Sequence, residues 1–224
     1  MNFGGVGVAL VTPFNEKKEI NFGEFEKVCQ YVIDNGVDYL VVLGTTGESV
    51  VLSKKEKQDL IKATVSVADG KVPVVAGFGG NNTYKIAEEL KAYELTGVDA
   101  ILSVSPSYNK PTQEGIYEHY KVIATSTDLP IILYNVPSRT ASNIKAATTI
   151  QLANEFKNII AIKEATNDWN QIIELCRNKP DGFGLLSGDD KLALPSISLG
   201  FDGVISVIAN ATPKLFSTMI HKGL

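Results

Sequence analysis

Short apolar runs rich in β-branched residues recur eight times along the chain, with longer segments of mixed polarity between them. Runs of this kind are typical of strands that are buried on both faces of a parallel sheet. Successive runs begin about 20 to 35 residues apart, which is the length of one strand and one crossover helix. The pattern predicts strands at Val6–Val11, Tyr39–Leu43, Pro73–Phe78, Ala100–Val104, Pro130–Tyr134, Ile159–Lys163, Phe183–Leu186 and Gly203–Val207.

The segments between the runs carry helix signals. Asn21 and Ser53 each precede a glutamate by three residues, as residues at helix N-termini do. Thr212-Pro213 has the pattern of an N-cap followed by proline at the first helical position. Glycine follows three of the segments where a left-handed C-cap is expected, at Gly36, Gly97 and Gly200. The segments are therefore predicted to be helices, the last of them over Thr212–Lys222.

Eight such units fit either an open doubly wound sheet or a closed barrel. An open dinucleotide-binding sheet usually has a glycine-rich turn after its first strand, whereas Gly4-Gly5-Val6-Gly7 precedes that strand here. The Gly77–Gly80 turn follows a strand but lacks the spacing and the acidic partner of a dinucleotide fingerprint. The count of eight favours the α/β class and a (β/α)8 TIM barrel. No linker or low-complexity segment interrupts the chain, so residues 1–224 are interpreted as one domain.

Composition narrows the possible functions. The chain has 224 residues, of which 44% are hydrophobic and 21% charged, with a formal net charge of −4. That charge gives no electrostatic basis for binding nucleic acid or an anionic membrane surface. The uncharged runs are too short for a membrane-spanning helix or a signal peptide. The two cysteines cannot form a disulfide framework, which favours a reducing compartment and a cytoplasmic location.

Polar residues that end otherwise apolar strands are the candidates for chemistry, because the active site of such a barrel lies at the carboxyl ends of its strands. They are Thr12, Thr45, Thr46, Tyr108, Tyr134, Arg139, Lys163 and the segment Ser187–Asp190.

Lys163 differs most from its surroundings, because it ends the apolar run Ile159–Lys163. Strict alternation predicts that Ile159, Ala161 and Lys163 share one face of the strand and that the residues between them share the other. If that face points into the barrel, burial lowers the pKa of the amine toward neutrality, and the neutral amine forms a Schiff base with carbonyl carbon. A lysine that extends to solvent or pairs with a carboxylate is the alternative.

Four other candidates have an ordinary structural interpretation beside the functional one. Tyr134 can shuttle protons next to an imine or be a core tyrosine with a bonded hydroxyl. Thr45 and Thr46, flanked by glycines, can hold a small anion or form a simple polar turn. Arg139 can bind a carboxylate in bidentate fashion or be a solvated loop residue.

We expect neither a metal ion nor a cofactor. The two histidines, His119 and His221, are far apart and lie on predicted helices. Asp189-Asp190 is more typical of a helix N-terminus than of a metal site. Cys29 and Cys176 each fall on an apolar helical face and are interpreted as core thiols.

Three blocks carry a resemblance to a known family: Gly44–Glu48, Tyr134–Thr140 and Ile162–Ala165. Together with the segment Gly5–Phe14 they resemble the dihydrodipicolinate synthase and N-acetylneuraminate lyase family, whose members are pyruvate-dependent class I aldolases on a (β/α)8 barrel. The resemblance extends along essentially the whole chain, with the blocks in the family's order and at its spacing.

The resemblance implies a role for each residue at a matching position. Lys163 would form the Schiff base with pyruvate, and Thr46 with the adjacent backbone would hold the pyruvate carboxylate. Tyr134, Thr45 and Tyr108 would form the family's proton relay. Tyr108 would come from a neighbouring subunit, which implies a homo-oligomer, either a dimer or a dimer of dimers.

Two features resemble the synthase members more than the sialic acid and sugar-acid lyases of the family. Thr45 stands where those lyases typically have serine, and Arg139 matches the arginine that binds the carboxylate of L-aspartate 4-semialdehyde. Gly188 and Ile205 match substrate-lining positions, Gly188 near the entrance. The implied reaction condenses pyruvate with L-aspartate 4-semialdehyde to 4-hydroxy-tetrahydrodipicolinate in lysine and diaminopimelate biosynthesis. The alternatives are a pyruvate-dependent lyase acting on a sugar acid, a barrel with little activity that serves binding or assembly and, more remotely, a pyridoxal phosphate enzyme.

Two departures from the family pattern carry expectations. Lysine-inhibited members tend to have histidines, an acid and a second aromatic residue where this chain has Lys54, Lys57, Lys85 and Ser107, although Ser49 and Asn81 are retained. The added cations should repel lysine, so we expect weak or absent lysine inhibition. The chain is also short for the family, so we expect the C-terminal helical region of its members to be lacking, with turnover and assembly affected.

Overall fold

The computed structural model describes residues 3–224 and contains a closed barrel of eight parallel strands. Each strand pairs with the next in chain order, and the last pairs with the first, Gly5 opposite Gly203. The predicted barrel is confirmed, with strand ends that differ from the predicted ones by at most two residues. The strands are β1 Gly5–Ala9, β2 Tyr39–Val42, β3 Val74–Gly77, β4 Ala100–Val104, β5 Ile131–Asn135, β6 Ile159–Glu164, β7 Gly184–Ser187 and β8 Gly203–Ser206.

Helices connect the strands. They are α1 Phe22–Asp34, α2 Lys54–Ala68, α3 Thr83–Ala92, α4 Gln113–Ala124, α5 Pro137–Thr140, α6 Ala146–Glu155, α7 Trp169–Asn178, α8 Ala193–Ser198 and α9 Pro213–Gly223. Short 3-10 turns lie at Thr45–Gly47, Ser49–Val51 and Ile208–Asn210.

The predicted helix starts are confirmed in most details. The Asn21 side chain accepts a hydrogen bond from the Glu24 amide, and Ser53 and Glu56 form both bonds of a capping box. Thr212 directly precedes α9 as predicted, but its side chain makes no capping bond within the described residues. Proline at the first position of α9 leaves one fewer backbone N–H to satisfy at this helix start.

A repeated Gly-apolar-Asp sequence joins helices to strands at the amino end of the barrel. It occurs as Gly36–Asp38, Gly97–Asp99 and Gly200–Asp202, and each glycine has a positive φ. In each case the aspartate accepts a backbone N–H from the preceding strand: Val6 at 2.7 Å, Val74 at 2.8 Å and Leu185 at 2.8 Å. The glycine therefore turns the chain, and the carboxylate satisfies an amide at the start of a neighbouring strand.

The strands separate two apolar clusters. A large outer cluster joins one strand face to the helices, and a smaller inner cluster fills the barrel. Among others, the inner cluster contains Val41, Val75, Leu102, Ile132 and Leu186. This alternation places inward-pointing side chains at the carboxyl ends of the strands beside the barrel mouth.

Within residues 3–224 we find no helix with the length and apolarity needed to cross a lipid bilayer.

Candidate active site

Lys163 and Tyr134 are direct neighbours in the barrel wall. Tyr134 on β5 is paired with Lys163 on β6, and both side chains are buried. The Lys163 Nζ lies 4.4 Å from the centre of the Tyr134 ring, over its face. An aromatic face at this distance attracts a cation, so the ring can stabilise positive charge on this nitrogen.

Lys163 points into the barrel, which meets the condition for its candidate role, but the predicted alternation is broken near the start of β6. Ala161 lies in the inner cluster, as predicted. Ile159, predicted to share that face, lies in the outer cluster, whereas Ile160 packs against the inner one. The reason is a shift in register: Ile131 pairs with Ile159 but Ile132 pairs with Ala161, which leaves Ile160 as an extra residue on β6.

Burial controls the chemistry of Lys163. The side chain is 4% exposed, and removal from water lowers the pKa of its amine to about 8. Asp190 acts in the opposite direction and raises this pKa, while Arg139 lowers it further. The pKa therefore lies slightly above physiological pH, where part of the amine is neutral, and only the neutral amine is a nucleophile.

Asp190 is a residue of the site whose role sequence reasoning missed. We expected Asp189-Asp190 to belong to a helix N-terminus, and one oxygen of Asp190 does accept the Val207 and Ile208 amides, at 3.1 and 3.0 Å. Its other oxygen, Oδ1, is buried and has no hydrogen-bond partner within the described residues. The carboxylate thus fastens the turn after β8 and acts electrostatically on Lys163. Its place after a strand end was the available signal.

Tyr134, Thr45 and Arg139 line one cavity of about 300 Å³. Burial raises the pKa of the Tyr134 phenol, while the Arg139 charge and a hydrogen bond with the Thr45 side chain lower it. The phenol is therefore held protonated near neutral pH, in contact with a hydroxyl that can pass a proton on. Lys163 is not among the lining residues, and the Tyr134 ring connects it with the cavity.

Thr45 and Thr46 lie in a 3-10 turn directly after β2. Thr45 is exposed and Thr46 is half-buried. The Thr12 hydroxyl donates to the Gly47 carbonyl at 2.7 Å and so fastens the turn to the loop after β1. Leu43 before the turn has a φ of 60°, a conformation rare for leucine. The hydroxyls are therefore presented on a constrained turn at the barrel mouth.

Arg139 lies on the short helix α5, which follows β5 directly. Its side chain is exposed, yet its charge acts on both Tyr134 and Lys163. The structure therefore places a guanidinium at the cavity wall, where it can meet an anionic substrate group.

Gly188 and Ile205 border the site from the other side of the barrel. A Cβ on Gly188 would clash with the Ala165 Cβ at 2.6 Å and would crowd the Lys163 Cε at 3.2 Å, so glycine fits best beside the lysine. Ile205 on β8 is buried in the same inner cluster as Tyr134.

Tyr108 is the one predicted site residue that the single chain leaves outside. Its side chain is 85% exposed, and its backbone has a φ of 67°. Its amide donates to the Thr140 carbonyl at 2.8 Å, so its loop is fastened to the end of α5. The ring consequently projects into solvent from an ordered backbone position.

The residues tied to lysine inhibition in the sequence analysis lie near the same cavity. Ser49, Lys57, Asn81 and Ser107 are among its lining residues. Asn81 accepts the Ser107 amide at 2.7 Å. Lys54 lies over the Tyr93 ring, with 5.5 Å from its Nζ to the ring centre, and Lys85 pairs with Glu89 at 4.0 Å.

Residues 2–224 match the model of the Dihydrodipicolinate synthetase family. The chain belongs to this family. A 4-hydroxy-tetrahydrodipicolinate synthase from Flavobacterium psychrophilum is 52% identical over 222 residues, which is 99% of this chain and 76% of the relative. One from Parabacteroides distasonis is 50% identical over 224 residues, which is 100% of this chain and 75% of the relative.

A solved family structure agrees in fold. The crystal structure of dihydrodipicolinate synthase from Aquifex aeolicus has a TM-score of 0.95 and 42% sequence identity, and the match covers 99% of this chain and 75% of that one. The chain thus spans about three quarters of the length of the family members it matches. The resemblance inferred from the three sequence blocks is confirmed.

The buried amine generates a prediction about stability. The pKa of Lys163 is lower in the folded barrel than its ordinary value of 10.5, so the unfolded chain binds this proton more tightly and folding is penalised below about pH 8. We expect Lys163→Met to raise the free energy of unfolding at pH 7 by about 1–3 kcal/mol. The gain should shrink as the pH rises from 8 toward 10.5.

Urea unfolding at pH 7 and pH 10 measures this effect. Lys157→Met is the matched control, because Lys157 is exposed beside the start of the same strand. Its effect should stay within about 0.5 kcal/mol at both pH values. A Lys163→Met variant that is no more stable than the wild type at pH 7 would show that burial does not lower the pKa of the Lys163 amine.

Proposed function

We propose that this protein condenses pyruvate with L-aspartate 4-semialdehyde to 4-hydroxy-tetrahydrodipicolinate, through a Schiff base on Lys163. The observation that carries the proposal is the buried Lys163 amine, with its lowered pKa, 4.4 Å from the Tyr134 ring at the carboxyl ends of the strands. The family membership and the names of its relatives support the choice of substrates.

The first half of the reaction activates pyruvate. The neutral Lys163 amine attacks C2 of pyruvate, and the carbonyl oxygen leaves as water after two proton transfers, which produces a protonated imine. The Tyr134 ring face stabilises the positive charge of this imine. Loss of a proton from C3 then gives an enamine, whose C3 is the nucleophile for the next step.

The second half forms the carbon–carbon bond and releases the enzyme. The enamine C3 attacks the aldehyde carbon of the semialdehyde, and the aldehyde oxygen takes up a proton to become a hydroxyl. The amino group of the same substrate then attacks C2 and displaces Lys163, which closes the ring. One water is released in each turnover, and no oxidation or reduction takes place.

The other residues of the site bind substrates and move protons in this proposal. Tyr134 and Thr45 are in hydrogen-bonding contact and carry protons to and from the imine region. Thr46 and the adjacent backbone of its turn bind the pyruvate carboxylate, while Arg139 binds the carboxylate of the semialdehyde. Gly188 leaves space beside Lys163, and Ile205 contributes to the apolar wall.

A trapping experiment tests the Schiff base. Incubation with pyruvate and borohydride should leave one reduced pyruvate on Lys163, located by mass spectrometry of the digested protein. The initial trapping rate should rise with pH and level off above about pH 8, because the protonated amine is not a nucleophile below its pKa.

Lys157→Met is the control that should be labelled like the wild type, whereas Lys163→Met should not be labelled. An adduct elsewhere, or none, would contradict the proposal. A coupled assay then compares the semialdehyde with sialic acid and keto-deoxy sugar acids. Turnover of a sugar acid without turnover of the semialdehyde would assign the protein to the lyase alternative.

The assembly belongs to the same proposal: Tyr108 completes the proton relay of a second copy in a dimer or a dimer of dimers. Its exposed ring on an ordered backbone supports this arrangement. We expect Tyr108→Phe to lower kcat by about 10- to 100-fold, because a general acid–base group is lost. Tyr84→Phe, at another exposed tyrosine, should leave kcat unchanged.

Light scattering of the active protein completes this test. A monomer with full activity, or an undiminished Tyr108→Phe variant, would exclude the shared relay.

Weak or absent inhibition by lysine stays a prediction, as do the single-domain interpretation and the cytoplasmic location. Lys57 lines the cavity and Lys54 lies nearby over Tyr93, so an added cation meets positive charge there. Titration of initial rates with lysine checks the expectation. Strong inhibition at modest lysine concentration would contradict it, whereas a Lys57→Glu variant should gain sensitivity.

A further inference from the structure

A second buried ionisable residue directly follows Lys163. Glu164 is 3% exposed and points to the opposite face of β6, away from the barrel interior. None of the proposed steps uses it. A carboxylate removed from water without a role or a partner would be costly, so its surroundings need an explanation.

Four hydrogen bonds surround this carboxylate. The Asn135 side-chain amide donates to both oxygens, at 2.9 Å to Oε1 and 3.0 Å to Oε2. The Gln171 side-chain amide donates to Oε2 at 3.0 Å, and the Thr166 backbone amide donates to Oε1 at 2.8 Å. Every contact is an N–H donor, so the arrangement suits the ionised carboxylate, which only accepts.

The hydrogen bonds thus offset part of the cost of burying the ionised form. Burial raises the pKa of Glu164 to about 7, while its bonds to Asn135, Gln171 and Thr166 lower it. Apolar side chains of similar size would fill such a position at less cost in free energy. The directional bonds therefore point to a need for exact orientation of the attached strands.

Asn135 and Glu164 are hydrogen-bonded to each other, and each directly follows a residue of the site. Asn135 follows Tyr134 on β5, Glu164 follows Lys163 on β6, and the two pairs lie in register. The Asn135 side-chain oxygen, Oδ1, itself accepts a hydrogen bond from the Ile144 backbone amide, at 2.9 Å. The outer pair, Asn135 and Glu164, thus fixes the ends of both strands on the face opposite the inner pair, Tyr134 and Lys163.

A further layer of hydrogen bonds fixes the side-chain amides of Asn135 and Gln171. The Asn143 side chain accepts from the Asn135 side-chain amide at 2.8 Å and donates to the Gln171 side-chain oxygen, Oε1, at 2.9 Å. Gln171 lies on α7, so the bonds connect β5, β6, the loop after α5 and a helix. The Glu164 carbonyl also accepts the Gly188 amide at 2.7 Å, next to the space that Lys163 needs.

We propose that Glu164 is a positioning residue whose ionised carboxylate, held by Asn135 and Gln171, keeps Lys163 and Tyr134 in the mutual geometry that Schiff-base chemistry requires. The inference rests on the proposed function. It concerns how the reacting residues are held, since Glu164 itself lies on the other face of the strand and does not touch the substrate.

Glu164→Gln is the direct test, because it keeps the shape and replaces one acceptor oxygen with a donor that faces other donors. We expect kcat and the rate of borohydride trapping to fall together by about 10- to 100-fold, since small displacements of reacting groups have effects of this size. The KM for the semialdehyde should stay within about twofold, because the residues that bind that substrate are unchanged. Glu174→Gln, an exposed position on α7, is the matched control and should behave like the wild type.

The conservative variant Glu164→Asp separates positioning from general destabilisation. It keeps an acceptor-only carboxylate, one methylene further back, among the same N–H donors. Its kcat should exceed that of Glu164→Gln by several-fold if hydrogen-bond complementarity is what matters. Thermal unfolding followed by circular dichroism confirms that each assayed variant is folded.

The outcomes are distinct. Wild-type protein without a Lys163 adduct would overturn the proposed function itself. A wild type with the adduct and a folded Glu164→Gln variant with unchanged kcat and trapping rate would overturn the positioning role alone. If Glu164→Gln does not fold, Asn143→Ala replaces it: a several-fold loss of kcat at constant KM supports the proposal, and unchanged kcat contradicts it.

Discussion

The pairing of β5 with β6 is the constraint on which the site depends. It places Tyr134 beside Lys163 on the inner face and Asn135 beside Glu164 on the outer face. The inner pair, Tyr134 and Lys163, brings an amine onto an aromatic ring, and the outer pair, Asn135 and Glu164, is joined by hydrogen bonds. Because both pairs share the same two backbones, a shift in register would separate all four side chains together.

Burial of the Lys163 amine is the second element of the design. A barrel mouth lined by apolar side chains lowers the pKa of the amine, and the nearby Asp190 carboxylate limits that decrease. The lysine needs space as well as a low dielectric, and Gly188 helps to provide it, because a larger residue would clash with Ala165 and crowd the lysine side chain. A buried amine of this kind costs folding free energy, as groups at active sites commonly do.

Local patterns were sufficient for much of the fold. Apolar runs located the eight strands, and capping signals located the helix starts, because both depend on neighbouring residues in the chain. Period-two alternation correctly directed Ala161 and Lys163 inward, yet it was wrong for Ile159 and Ile160. The bulge at Ile160 arises from the pairing of β6 with β5, so it could not be predicted from the pattern within β6 alone.

The sequence by itself determined the barrel and the family and singled out Lys163 as the candidate nucleophile, since these follow from local hydrophobic periodicity and short specific blocks. Only the tertiary structure decided that Asp190 acts on Lys163, that Tyr108 projects outward and that Glu164 is enclosed by amides. These contacts join residues far apart in the chain. Their distances depend on how the strands close into a barrel and stagger against one another, which is a property of the whole sheet.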